Sequence, residues 1–344
     1  MMRKLTKTIK IKDLLIGGNN PVIIQSMTTT KTKDVKATVD QIKLLEHAGC
    51  ELVRVAVLDM DDAKALRMIK KEIDIPLVAD IHFDYRLALE AINQGVDKIR
   101  LNPGNINNIN HVKLIVDACN EKNIPIRIGI NSGSLPNNIK PTPENLIEFM
   151  KREVKILEDL GFTNIILSLK TTDVISNIET YRLASETFNY PLHLGVTEAG
   201  TLIGGTIKSS LALGILLSEG IGDTIRVSLT EDPQLEIRVA KEILNNLKLR
   251  NDQPTLISCP TCGRLEYDMI PVAKAIDAFL QTINKPIKVA VMGCVVNGPG
   301  EAKDADLGIT GNNDVVLIFS KGKIIKKVHP SQALDELKKL ILEY

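Results

Sequence analysis

The stretch Pro76–Pro103, PLVADIHFDYRLALEAINQGVDKIRLNP, decides the fold. It opens on a short apolar run, PLVADIH, passes through a segment of helical spacing closed by Gly95, and meets a second short run, KIRLNP. A short apolar run bounded by turn residues reads as a strand, and a glycine just past the last apolar residue of a periodic segment reads as a helix end. The stretch is therefore strand, helix, strand. Outward from it the same unit recurs. VIIQSM from Val22, ELVRVAV from Glu51, IPIRIGIN from Ile124, NIILSLK from Asn164, PLHLGVT from Pro191 and TIRVSLT from Thr224 are the remaining strand segments. Helical spacing lies between them, as at Val112, Ile115, Val116 and Cys119, with further helix-ending glycines at Gly49 and Gly161. Eight such units in about 250 residues match an α/β fold of the (β/α)8 TIM-barrel kind. A doubly wound sheet would use fewer units and a Gly-rich first turn, which is missing here.

The polar segment NNLKLRNDQP, residues 245–254, closes on a proline and reads as a linker. The expected domains are residues 1–250, the barrel, and residues 251–344, a smaller α+β unit. In the second, a helix is expected after CPTCGR, strands at IKVAVMG and at VVLIFSKGKIIKKV with a Lys-Gly turn, and a last helix from near Ser331.

Composition narrows the function. The 43 basic and 42 acidic side chains nearly cancel, so no global field draws the chain to nucleic acid or an anionic membrane. Aromatic residues are 3% of the 344 and tryptophan is absent, which argues against a base-stacking platform. No apolar run approaches the ~20 residues of a membrane helix, and MMRKLTKTIKIKD has no apolar signal core behind it, so a cytoplasmic protein is expected. Three of the five cysteines crowd the last quarter, which suits metal ligation in a reducing compartment better than disulfides.

Four strands share one pattern: V-R-V at Arg54, I-R-L at Arg100, I-R-I at Arg127 and I-R-V at Arg226. The outer face of a barrel strand packs on helices and wants Val, Ile or Leu, so these arginines should face the interior. The same parity pairs Asp80 with His82, Arg100 with Asn102, Arg127 with Asn131, Ser168 with Lys170 and Arg226 with Ser228, while Glu198 follows the seventh strand. Most lie toward strand C-terminal ends, where barrel enzymes place their chemistry. Five inward cations (Arg54, Arg100, Arg127, Lys170, Arg226) against two acids (Asp80, Glu198) are costly in a confined interior unless an anion neutralises them. A strongly anionic small molecule, most simply a diphosphate, is the expected ligand. Glu198 at the cationic mouth reads as a proton donor. GTLIGGTIKSS from Gly200 lacks the Gly-Lys-Ser/Thr order of a nucleotide loop.

Cys259 and Cys262 form C-P-T-C-G-R, and Cys294 lies in M-G-C-V-V-N-G-P-G-E. Cys-x-x-C alone serves zinc ribbons, redox pairs and clusters alike. A zinc ribbon needs a second such pair or a histidine, and the second domain has only His329, next to Pro330. Three thiolates point instead to an iron-sulfur cluster. Glu301, after the Gly-Pro-Gly turn at 298–300, is either a turn acid or an oxygen ligand. Cys50 and Cys119 read as core residues.

IQSMTTT, VADIHFDYRLA, KIRLNPGNI, RIGINSGSL, LGVTEAG, IRVSLT, ISCPTCGR and KVAVMGCVVNGPGEAKDADLGI, in that order, resemble the bacterial 4-hydroxy-3-methylbut-2-enyl diphosphate synthase family over essentially the whole chain. The resemblance implies a barrel followed by a sulfite-reductase-like cluster domain, without the long insertion of plant-like members. It implies two-electron reductive opening and dehydroxylation of 2-C-methyl-erythritol 2,4-cyclodiphosphate in non-mevalonate isoprenoid synthesis, with flavodoxin or ferredoxin as donor. It implies a 4Fe-4S cluster on Cys259, Cys262 and Cys294 with Glu301 at the fourth iron. Arg54, Arg100, Arg127, Asn131, Lys170, Arg226 and Ser228 correspond to diphosphate-binding positions, and Asp80, His82 and Glu198 to positions nearest the reacting carbons. A homodimer is implied in which one chain's cluster domain caps the other's barrel. Two rival readings are a barrel lyase or transferase for a phosphorylated metabolite with a structural zinc tail, and a redox sensor that binds nucleic acid.

Overall fold

The computed structural model describes residues 3–106, 108–136, 138–265, 267–294 and 302–344. The chain divides into two compact units, Met1–Leu249 and Arg250–Tyr344.

The first unit opens with an antiparallel hairpin, β1 (Ile9–Ile11) and β2 (Leu14–Ile16). Eight parallel strands follow: β3 (Ile23–Met27), β4 (Leu52–Ala56), β5 (Leu77–Asp80), β6 (Lys98–Arg100), β7 (Ile126–Asn131), β8 (Ile165–Lys170), β9 (His193–Leu194) and β10 (Thr224–Ile225). Each expected strand segment contains one of them. Their order, β8-β7-β6-β5-β4-β3-β10-β9, brings the ends together, and a parallel bridge from Leu167 to Leu192 joins β8 to the segment entering β9. This is the TIM barrel expected from the strand count.

Eight helices alternate with these strands: α1 (Val35–Ala48), α2 (Met60–Lys71), α3 (Tyr85–Asn93), α4 (Ile109–Lys122), α5 (Pro143–Asp159), α6 (Val174–Thr187), α7 (Leu202–Ser218) and α8 (Pro233–Asn246). Side chains of Asp34, Asp59, Asp84, Asn108, Thr142, Asp173 and Asp232 accept from the first-turn amides of seven of them, so chain direction is set at seven of the eight barrel loops. Gly49 ends α1 at φ 101°, a left-handed conformation that other residues adopt only with strain. Cys50 and Cys119 are buried core residues, as expected.

The hairpin was not foreseen. Its Ile9, Ile11 and Ile16 pack on Ile23, Leu52, Val78 and Ile166, inward positions near the N-terminal ends of β3, β4, β5 and β8. The bottom of the barrel is thus plugged by apolar side chains.

The second unit is a five-stranded sheet, β11 (Thr255–Ser258), β12 (Lys288–Val291), β13 (Leu307–Gly311), β14 (Val316–Ser320) and β15 (Lys323–Val328), in that spatial order. β11, β12 and β13 are parallel, and β14 and β15 add antiparallel. Lys321 and Gly322 join β14 to β15 at φ 48° and 76°, the paired positive values a tight hairpin needs. Helices α9 (Met269–Leu280) and α10 (Pro330–Glu343) bury Ile276, Leu280, Leu337 and Ile341 against Val289, Val291, Ile309, Val316 and Ile318. On the opposite face Ala290, Met292, Ala302, Ala305 and Phe319 form a second cluster, with Cys259 at its margin. β11 and β13 were not anticipated from the sequence.

Candidate active site

Above the apolar plug the barrel interior turns polar. Gln25, Lys98, Arg127, Ser168, His193 and Thr224 are all nearly or wholly buried. Higher still, Arg54, Asp80, His82, Arg100, Arg127, Asn131, Ser168, Lys170, Arg226 and Ser228 line one cavity of about 160 Å³ with Gly129, Val196 and Thr197. Strand parity had assigned all ten of those charged and polar residues to the interior. The cavity opens at the C-terminal ends of the strands, because Asn131 ends β7, Lys170 ends β8 and Arg226 follows β10.

Asp80 organises one wall. Its Oδ1 lies 3.2 Å from Arg100 Nη1 and its Oδ2 lies 3.6 Å from Arg54 Nε. Burial opposes its charge, yet Arg54, Arg100, Arg127 and His82 together outweigh burial and hold the carboxyl below its usual value. Arg100 Nη1 also lies 3.2 Å from His82 Nε2, and its Nη2 donates to the Gly129 carbonyl at 2.6 Å. His82 Nδ1 lies 3.4 Å from Arg100 Nη1, and since a guanidinium can only donate, whichever ring nitrogen pairs with Arg100 does so as an acceptor. His82 is accordingly shifted down, by burial and then by Arg100 and Arg54, against the pull of Asp80.

Arg226 is held by a carboxylate that strand parity could not reveal. Glu236, on α8 and nearly buried, lies 3.3 Å from Arg226 Nε, and accepts from Ser26 Oγ at 2.9 Å and from the Leu229 amide at 3.0 Å. It replaces Glu198 as the second interior acid. Glu198 is exposed, outside the cavity lining, at φ 53° on a turn where its carboxylate accepts from Thr172 Oγ1 at 3.2 Å. That left-handed turn swings it out of the strand pattern to the rim. Asn102 also departs from the expected cavity wall, because its Oδ1 accepts from the Gly129 amide at 3.0 Å and so pins β6 to β7.

Cations outnumber acids inside. Arg127 is 2% exposed, and its Nε and Nη1 have no hydrogen-bond partner. Burial, then Arg54 and Arg100, push it well below the ordinary arginine range. Arg54 is lowered to about 10 by burial, against the pull of Asp80. Lys170 is lowered by burial and then by Arg226, Arg127 and Arg54. Burial is the leading cause of each of these shifts, and the neighbouring cations add to it in all three.

In the second unit, Cys259 follows β11 and Cys294 lies just past β12. Since Ser258 pairs with Val291, the two cysteines leave the same edge of adjacent parallel strands. The Gly293 amide donates to Cys259 Sγ at 3.2 Å, and a Cβ on Gly293 would lie 2.7 Å from Leu265 Cδ1 and 2.8 Å from Met269 Sδ. Thr310 Oγ1 donates to the Cys294 carbonyl at 2.7 Å. Cys262 lies exposed on the loop after Cys259. Among the described residues no three His, Cys, Asp or Glu side chains gather closely enough to hold a metal ion, and Glu301 lies outside those residues.

The GcpE TIM-barrel domain family matches residues 6–241, and the GcpE protein C-terminal domain family matches residues 255–343. The chain belongs to the GcpE family. Among GcpE relatives, the 4-hydroxy-3-methylbut-2-en-1-yl diphosphate synthase (flavodoxin) of Clostridium perfringens is 57% identical, with 99% of each chain covered. Proteins of the same name from Bacillus cytotoxicus and an Exiguobacterium species are 54% and 55% identical over 98% of this chain, covering 94% and 92% of theirs. The fold of the GcpE barrel is shared with the dihydropteroate synthase of Yersinia pestis, with a TM-score of 0.53 at 13% identity over 70% of this chain and 97% of that one. At that identity the likeness concerns the fold alone. Among the described residues no GcpE helix is long and apolar enough to cross a membrane.

Proposed function

We propose that this chain converts 2-C-methyl-erythritol 2,4-cyclodiphosphate to 4-hydroxy-3-methylbut-2-enyl diphosphate, taking up two electrons and two protons and releasing water. The observation that carries the reading is Arg127, a buried guanidinium with two unpartnered nitrogens beside a cavity that Arg54, Arg100, Lys170 and Arg226 also line. Diphosphate oxygens satisfy those donors and neutralise the excess charge together. Asp80 holds Arg54 and Arg100 in place, Glu236 holds Arg226, and Asn131, Ser168 and Ser228 offer neutral contacts. Clamping the diphosphate leaves the carbon skeleton toward the mouth, where His82 and Glu198 stand, and Glu198 supplies the proton for the departing oxygen.

The donor set in the second unit suits a 4Fe-4S cluster. Cys259 and Cys294 leave the same end of adjacent strands, the Gly293 amide donates to one sulfur, and Cys262 and Glu301 would complete the four ligands. When bound, the cluster supplies the two electrons, drawn from flavodoxin. Residues 251–344 serve as the cluster domain and residues 1–250 as the substrate domain. The short segment 245–254 favours a homodimer in which each cluster domain serves the partner's barrel, in a reducing cytoplasm that keeps the thiols reduced.

Anaerobic purification tests the reading. About four irons with sulfide per chain, and turnover of the cyclodiphosphate with reduced flavodoxin, are expected, whereas stoichiometric zinc would defeat it. Cys294→Ala loses iron and turnover together. Glu198→Gln keeps the iron and loses turnover; normal rates in that variant would remove Glu198 from the mechanism.

A further inference from the structure

We propose that Lys98 is a proton-accepting floor beneath the anion cavity, standing neutral in the empty barrel and becoming an ammonium when a diphosphate enters above it. The inference rests on the diphosphate reading and adds a positioning residue to it.

Lys98 lies two residues before Arg100 on β6 and so shares its inward face, one layer deeper. It is 0% exposed, and its Nζ donates to Gln25 Oε1 at 3.2 Å. Among the described residues it has no carboxylate partner. Strands β7 and β4 bring Arg127 and Arg54 to bear on it, and β9 brings His193, whose Nε2 is itself unpartnered. Lys170, on β8, belongs to the cavity wall above. The two interior carboxylates are engaged elsewhere, Asp80 with Arg54 and Arg100, Glu236 with Arg226 and Ser26. Tyr181 spends its hydroxyl on the His193 carbonyl and the Leu169 amide. The apolar plug from Ile9, Ile11 and Ile16 packs on the layer beneath. Among the described residues no side chain neutralises an ammonium at this point. Burial, followed by Arg127 and Arg54, accordingly lowers its hold on a proton well below that of an ordinary lysine.

A diphosphate reverses the balance. Its negative charges settle against Arg127 and Arg54, cancel their repulsion of the amine, and leave a net attraction for a proton. Two lysines can respond, Lys170 in the cavity wall itself and Lys98 beneath it, and Lys98 does so from outside the cavity lining. The arginines are far stronger bases, and His193 has a much lower ordinary value and a ring nitrogen 2.7 Å from Thr224 Oγ1. The added charge then tightens anion binding without touching the ligand.

The test is calorimetric titration of the full chain with inorganic pyrophosphate at pH 8, in buffers of different ionisation enthalpy. Wild type is expected to take up about one proton per site more than Lys98→Met or Lys98→Gln. Equal proton stoichiometry in wild type and a folded variant overturns the proposal. Should the variants fail to fold, 15N-lysine NMR of wild type reads the same event, the Lys98 amine turning into an ammonium on pyrophosphate addition, with the signal of Lys170, the other buried barrel lysine, assigned through Lys170→Arg. A Lys98 signal that stays put, or is already an ammonium in the empty barrel, overturns it equally. Failure of wild type to bind pyrophosphate would overturn the diphosphate reading as well, whereas binding without the extra proton defeats the Lys98 proposal alone.

Discussion

A single residue, Arg127, shows what the barrel sacrifices for its ligand. An uncompensated buried cation destabilises the empty fold, and replacing it by an apolar side chain of similar length removes that penalty. Arg127→Met is therefore expected to raise the melting temperature of the ligand-free protein while raising KM for the cyclodiphosphate at least tenfold. A lower melting temperature with unchanged KM would show that Arg127 is structural. Glu236 makes the complementary case. Glu236→Gln keeps the shape but loses the charged partner of Arg226, a hydrogen bond worth roughly 1.5–3 kcal/mol, and KM is expected to rise by about one order of magnitude with kcat little changed. Strand alternation made Arg54, Arg100, Arg127 and Arg226 legible because an arginine between two β-branched or leucine residues has one face to choose. Glu236 was illegible because it reaches in from a helix, where no period-two rule applies. Glu198 was misplaced because the φ of 53° that turns it outward leaves no mark in its side-chain type.

At the scale of elements, the eight strands were readable from apolar runs, and the Lys-Gly turn from the residues that tolerate positive φ. What escaped was short or glycine-bearing. The segment TLIS of β11 is four residues long, and LGITG of β13 carries two glycines, features that resemble loop as much as strand. Gly308 in β13 has a packing reason, since a Cβ there would meet the Phe319 ring at 2.4 Å. Gly308→Ala should cost about 1–3 kcal/mol by overpacking, read as earlier unfolding of the second unit in urea with the barrel transition unmoved. The β1–β2 hairpin escaped because its three-residue strands lie outside the repeating unit that drew attention to the rest.

On the scale of the whole molecule, the excess of interior cations ties stability to pH and to anions. Lys98 and Lys170 are shifted below their ordinary 10.5, so in the interval beneath that value the unfolded chain binds more protons than the folded one. Stability of the ligand-free protein must then rise with pH across that interval. The buried thiols of Cys50 and Cys119 are pushed up from 9.0, which reverses the trend in stronger alkali. Melting temperatures in chloride buffer are expected to climb from pH 7 to about 8.5. Pyrophosphate at about a hundredfold its Kd should add roughly 2.7 kcal/mol. A flat or falling profile over that interval would mean the interior charge is compensated.

The isoleucine hairpin beneath the barrel has a kinetic corollary. A barrel stoppered at one end is a cup, with a single doorway for substrate, product and displaced water. Product must leave by the doorway through which substrate entered before the next molecule can descend, so one channel serves both halves of every turnover.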